Sequence, residues 1–145
     1  MFDSSLTTLV TELKGLVVWP DKEAFYAWQP TIFKCRRFRR VRVIIDSPEI
    51  RLEKASASTA ESTTWSQYKN LDAVKVLVRI TPNGLISYIS ACWGAKVSDK
   101  QLVLLTDFTK KLEYGDEVMA ERGFNVTEEP PVLGVTLVVP AYTKG

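Results

Sequence analysis

Two short apolar runs in this chain each end on a carboxylate. Val43-Ile44-Ile45 leads into Asp46, with Ser47-Pro48-Glu49 behind it, and Val118-Met119-Ala120 leads into Glu121-Arg122-Gly123-Phe124. Such a run is what a buried strand requires, and a strand that stops on an acid delivers that acid to a sheet edge. Two acids brought from two strands to one edge could hold a divalent cation, because hard cations bind through carboxylate oxygens. Composition excludes several other chemistries. The chain has no histidine, so neither a histidine general base nor a histidine metal ligand is possible. Cys35 and Cys92 lack the C-x-x-C spacing of a zinc site and are too few for a disulfide framework.

A second group of residues carries charge rather than catalysis. Lys34-Cys35-Arg36-Arg37-Phe38-Arg39-Arg40-Val41-Arg42 is the densest positive cluster in the sequence. Arg36, Arg37, Arg39 and Arg40 suit phosphate contacts on nucleic acid, and the same run also fits a nuclear-import signal or a solvated basic loop. Of the tryptophans, Trp19 and Trp93 follow apolar runs and are expected in the core. Trp65 lies in the polar stretch Thr63-Thr64-Trp65-Ser66 and is the one free to stack on a base.

These residues need a frame, and the elements that supply it can be read locally. At 145 residues and 46% hydrophobic, the chain can build one domain around one core and is too short for two. A net charge of +2 says little about partners. No apolar run approaches the ~20 residues of a membrane span, and Met1-Phe2-Asp3-Ser4-Ser5 lacks the charged start of a secretory signal. The expectation is an intracellular protein without a membrane partner.

Leu6, Leu9, Val10, Leu13 and Leu16 fall at helical spacing, which predicts a helix over 4–16 capped by Ser4 or Ser5. Asp21 caps a second short helix through Trp28, stopped before Pro30. Val41 to Asp46 is the first strand. Residues 55–64 are Ser, Thr, Ala and Glu with little to bury, and are expected to form a long loop or a mobile hairpin tip. Ala73 to Thr81 and Leu85 to Trp93 flank Pro82-Asn83-Gly84, and an Asn-Gly between two such runs predicts a hairpin. Ser98-Asp99-Lys100-Gln101 has capping-box form ahead of Leu102, Leu105, Phe108 and Leu112, predicting one helix to about Tyr114-Gly115. Glu117 to Ala120 and Val135 to Val139 are the last strands.

An antiparallel meander followed by alternating helix and strand resembles the start of a ribonuclease H-like fold. In that fold the first and fourth strands are parallel neighbours, which would bring Asp46 and Glu121 together. Motifs spread over the chain carry a more specific resemblance. They are Trp19-Pro20, Pro30-x-x-Phe33, Asp46-x-x-Glu49-Ile50, Thr64-Trp65-Ser66-Gln67-Tyr68-Lys69, Gly94-Ala95-Lys96-Val97-Ser98-Asp99-Lys100, Glu121-Arg122-Gly123-Phe124 and Pro140-Ala141-Tyr142-x-Lys144-Gly145. In this order and at these spacings they resemble the nuclease domain of DDE transposases, specifically the Harbinger-like group.

The resemblance implies an α/β fold: a ribonuclease H-like mixed sheet made of a three-strand antiparallel meander and then helix-strand units. Residues 1–40 would be an N-terminal helical segment and basic connector, and 41–145 a partial nuclease core, C-terminally incomplete. It implies phosphoryl transfer on DNA assisted by two Mg2+ or Mn2+ ions, with Asp46 and Glu121 as catalytic residues and metal ligands. Glu121 stands where the family has Asp. The family's third acid, a Glu on a later helix, has no counterpart, and an end at Gly145 reads as a truncation. Both departures point to impaired or absent activity, and to a non-enzymatic DNA-binding or decayed transposon-derived fragment as the alternative.

Glu49 is either an outer-sphere partner holding a metal-bound water or the partner of a neighbouring arginine. Asp99 is near the site in the family, and its place at a helix start is equally explained by the helix dipole. Trp65 and Lys69 join Arg36, Arg37, Arg39 and Arg40 as residues to contact DNA. The resemblance further implies a nuclear location and a separate DNA-binding partner protein, since no finger, zipper or helix-turn-helix signature is present.

Overall fold

β-branched residues dominate Val41–Asp46 (β1), and this strand is the centre of the molecule. The computed structural model describes residues 2–53, 64–67, 69–121, 124 and 134–139. β1 continues through Ser47-Pro48 into Glu49–Arg51 (β2), and Trp65–Ser66 (β3), Leu71–Lys75 (β4), Val78–Ile80 (β5), Ile86–Ile89 (β6) and Trp93–Gly94 (β7) follow. Glu117–Ala120 (β8) and Thr136–Val138 (β9) complete the strands. The helices are Phe2–Leu13 (α1), Lys22–Ala27 (α2) and Asp99–Leu105 (α3), with 3-10 turns at Lys14–Leu16, Thr31–Lys34 and Phe108–Lys111.

The main sheet has five strands in the order β6-β5-β1-β8-β9. β5 pairs antiparallel with both β1 and β6, whereas β1–β8 and β8–β9 are parallel. A smaller sheet, β2-β4-β3 with β7 also on β4, continues the β1 and β5 strands past a shared bend. The bend falls at Pro48, which has no N–H to give a ladder, and at Val76, whose N–H donates to the Pro48 carbonyl at 3.3 Å. The hairpin closes at Gly84, where φ is +88°, a conformation glycine adopts without a Cβ penalty.

One face of the main sheet carries the core. Val43, Ile45, Leu77, Val118 and Ala120 pack against Leu102 and Val103 of α3 and against Phe108, Leu112 and Phe124, with Trp19 and Trp93 partly buried beside them. The other face follows from strand alternation. In register across all five strands it carries Ile86, Ile80, Ile44, Met119 and Val138, and Asp46 beside Val78 in the next row.

Two buried arginines tie the N-terminal segment to this frame. A register shift between Val41 and Val43 makes Arg42 the extra residue of a bulge, a device that re-aims a side chain. Its guanidinium lies over Trp19 and Phe25 at 4.6 and 4.3 Å and donates to the Pro20 carbonyl at 2.7 Å. Arg79 also lies over Trp19, at 4.4 Å, and donates to the carbonyls of Ser87 and Phe108. Burial pushes the Arg79 guanidinium down to about 10 and Arg42 below its ordinary value. At about 10, Arg79 still carries its charge at neutral pH.

Several expected elements differ. The helix predicted from Ser98 to about Tyr114 breaks at Thr106, whose backbone is extended, and resumes as a 3-10 turn, because the break turns both Phe108 and Leu112 into the core. The first helix begins at Phe2, so Ser4 and Ser5 lie inside it rather than capping it, and the last residues to Leu16 form a 3-10 turn. Its Leu6, Leu9, Val10 and Leu13 are exposed. The two long hairpin strands are each split, into β4 and β5 and into β6 and β7. The loop expected over 55–64 lies outside the described residues except Thr64. Among the described residues no helix is long and apolar enough to cross a membrane.

Candidate active site

Asp46 is the last residue of β1 and Glu121 the first beyond β8. The last register pair between these parallel strands is Ile45 with Ala120, so the two acids are the next residues along neighbouring strands. Parallel neighbours lie about 4.8 Å apart. Ile45 and Ala120 are both core residues, and Asp46 therefore faces away from the core, where it is exposed. Its Oδ1 accepts the Ser47 N–H at 2.8 Å, which leaves Oδ2 for an external partner. The Glu121 carbonyl accepts the Phe124 N–H at 3.2 Å, and the Phe124 side chain is fully buried.

Beside these acids the structure assembles a second set of charges around Lys75, a residue the sequence pattern does not single out. Its Nζ stands 3.3 Å from Asp99 Oδ1, 3.9 Å from Glu49 Oε1 and 3.2 Å from the Val97 carbonyl. Asp99 Oδ1 also accepts the Ser47 hydroxyl at 2.6 Å, which links the cluster to the residue that orients Asp46. Glu49 Oε2 accepts the Ser66 hydroxyl at 2.9 Å and stands 3.9 Å from Lys69 Nζ. Glu49 and Asp99 thus each face an ammonium, and a cation already between two carboxylates opposes a metal ion at the same oxygens. The cations beside Glu49 are the lysines Lys69 and Lys75 rather than the expected arginine, because strand pairing sets β4 next to β2. Asp99 is also the first residue of α3, where a negative side chain favours the helix N-terminus whatever else it does. The signal that could have revealed Lys75 is a lone cation set between the apolar pairs Ala73-Val74 and Val76-Leu77.

The basic segment lies at the other end of β1, away from these acids. Arg36, Arg37, Arg39 and Arg40 are exposed. Arg37 lies over Phe38 at 5.2 Å, and Arg40 is engaged by Glu117 at 2.9 Å. Trp65 opens β3 opposite Asp72 and is 39% exposed, so its ring is open on one side. Cys35 and Cys92 are both free and exposed. The structure therefore brings Asp46, Glu121, Glu49, Asp99 and Lys69 to one end of the fold and leaves the arginine run at the other. Among the described residues, no group of three or more His, Cys, Asp or Glu side chains is close enough to hold a metal ion.

A family profile described as DDE superfamily endonuclease matches residues 45–144, a span that opens one residue before Asp46 and contains Glu121. No curated protein and no solved structure matches the chain.

Proposed function

The chain belongs to the DDE superfamily endonucleases, whose substrate is DNA, and on that premise we propose that it is a Harbinger-like, transposase-derived nuclease domain in which Asp46 and Glu121 hold a divalent cation. What supports the reading is the placing of these acids at successive positions on adjacent parallel strands, within the matched span. The donor set fits such an ion. Both ligands are hard oxygens, and Mg2+ typically takes one or two protein carboxylates and completes its shell with water and substrate phosphate. When bound, the cation supplies charge stabilisation to the phosphodiester under attack. The chain's own part is to fix the acids: the Ser47 N–H orients Asp46 Oδ1, and the N–H of the buried Phe124 holds the Glu121 carbonyl.

Catalysis in this chain is weak. Glu121 carries its carboxylate one methylene farther out than the family's Asp, and a misplacement of about 1 Å can cost ~100-fold in rate. Mn2+ tolerates the distorted site better than Mg2+, which demands near-ideal octahedral geometry. One observation favours the non-enzymatic, DNA-binding alternative: Lys75 occupies the position between Glu49 and Asp99, so neither acid is free to complete a second ion site. By the same resemblance the protein works in the nucleus with a separate DNA-binding partner.

Titration calorimetry with Mn2+ and Mg2+ on wild type and Asp46→Ala tests the reading. Weak binding that favours Mn2+ and disappears in the variant is expected. Equal binding by both proteins would remove Asp46 as a ligand. Robust Mn2+-dependent nicking of plasmid DNA, abolished by Asp46→Ala, would overturn the claim of weak catalysis.

A further inference from the structure

At the far end of β1 from Asp46 lies an open cavity of about 600 Å3, lined by Tyr26, Gln29, Lys34, Arg39 and Arg40. Its walls follow from local sequence. Asp21 caps α2 by accepting the Ala24 N–H at 2.7 Å, and the helix turns Phe25 inward, 2% exposed. Tyr26, the next residue, is left on the open side at 48% exposure. Gln29 is buried, and its Nε2 donates to the Arg39 carbonyl at 3.3 Å, fastening the end of α2 to the basic turn ahead of β1.

The charges in this cavity are unequal. Arg40 is neutralised by Glu117. Lys34 and Arg39 are exposed and make no ion pair among the described residues, and no carboxylate lines the cavity. Two uncompensated cations, an open aromatic ring and a carboxamide suit a nucleotide unit of a polynucleotide: the cations take phosphate oxygens, and the ring stacks on base or sugar.

We propose that this cavity seats one nucleotide of a DNA strand bound along β1, with its phosphate on Lys34 and Arg39 and its base or sugar against Tyr26. The proposal rests on the reading of the chain as a DNA-directed endonuclease domain and adds a contact remote from the acids. Arg40 directly precedes β1 and Asp46 ends it. Six residues of strand span about 20 Å. A DNA strand advances about 3.4 Å per nucleotide, so the seated nucleotide lies about six positions from the phosphodiester at the acids.

Fluorescence anisotropy on a labelled 20-nucleotide DNA, single-stranded and as a duplex, across a salt series tests this. Lys34→Gln/Arg39→Gln should reduce the log-log salt slope on duplex by about 1.8, two contacts at about 0.9 each. A control, Lys14→Gln/Lys111→Gln, should leave it unchanged. Tyr26→Ala should weaken single-strand binding by about 5-fold or more, with Tyr26→Phe close to wild type. If wild type binds DNA and Lys34→Gln/Arg39→Gln keeps its slope, the cavity assignment fails while the DNA reading stands. If folded wild type binds no DNA at low salt, both fall. Binding by Tyr26→Ala equal to wild type would overturn the seated nucleotide in favour of bare phosphate contact.

Discussion

Replacing Lys75 by Met should destabilise the fold and at the same time open its acids to divalent cations. The change removes an ammonium held at 3.3 Å from Asp99, 3.2 Å from the Val97 carbonyl and 3.9 Å from Glu49. Side-chain exposures of 14, 19 and 10% for Lys75, Asp99 and Glu49 describe a site that is largely but not fully desolvated. Breaking a fully buried pair costs about 3–5 kcal/mol, and a hydrogen bond to a charged group contributes about 1.5–3 kcal/mol. Partial solvation of the stranded carboxylates brings the expected loss to roughly 2–4 kcal/mol. Methionine keeps most of the volume, so packing contributes little. At about 2–4 °C per kcal/mol for a chain near this size, Tm should fall by roughly 5–15 °C, read by circular dichroism. Two carboxylates and a carbonyl then form an oxygen site without its ammonium, so millimolar Mn2+ should raise the variant's Tm by more than it raises that of wild type. A Tm within about 2 °C of wild type, or no extra gain from Mn2+, would refute the view that Lys75 fills a cation position between Glu49 and Asp99.

Further outcomes can be checked alongside. Glu121→Asp should tighten Mn2+ binding several-fold by calorimetry, since the shorter acid suits a strand-edge site; unchanged affinity would argue that Glu121 is not a ligand. Arg79→Ala should cost about 3 kcal/mol or more in urea unfolding, because it removes ring contacts and strands buried carbonyls, whereas Arg79→Met should cost less, since it keeps the apolar bulk under Trp19. Gly84→Ala should lose about 1–2 kcal/mol, with a lower urea midpoint, because its φ of +88° is strained for any residue with a Cβ.

Much of this framework is local and was legible in the residues themselves. The apolar runs into Asp46 and Glu121 are strand-like because of their own composition, and Asn83-Gly84 makes a turn because glycine accepts a positive φ there. Ser98 and Gln101 cap α3 reciprocally, as a capping box requires, because the unpaired N–H groups of a helix start need side-chain acceptors close in sequence. Other features depend on partners distant in sequence. The break at Thr106 answers to the core that takes Phe108 and Leu112, overriding a helical spacing that runs on to Leu112. Arg42 and Arg79, polar by type, are buried because a bulge and the Trp19 ring provide places for their guanidinium groups. Lys75 became part of the acid cluster only when β4 paired with β2 and β7 and the start of α3 came beside it, joining residues separated by more than twenty positions. Propensity, capping and turn chemistry act over a few residues. Strand pairing and the desolvation of charge are decided by which surfaces meet, and that is settled only when the chain has closed on itself.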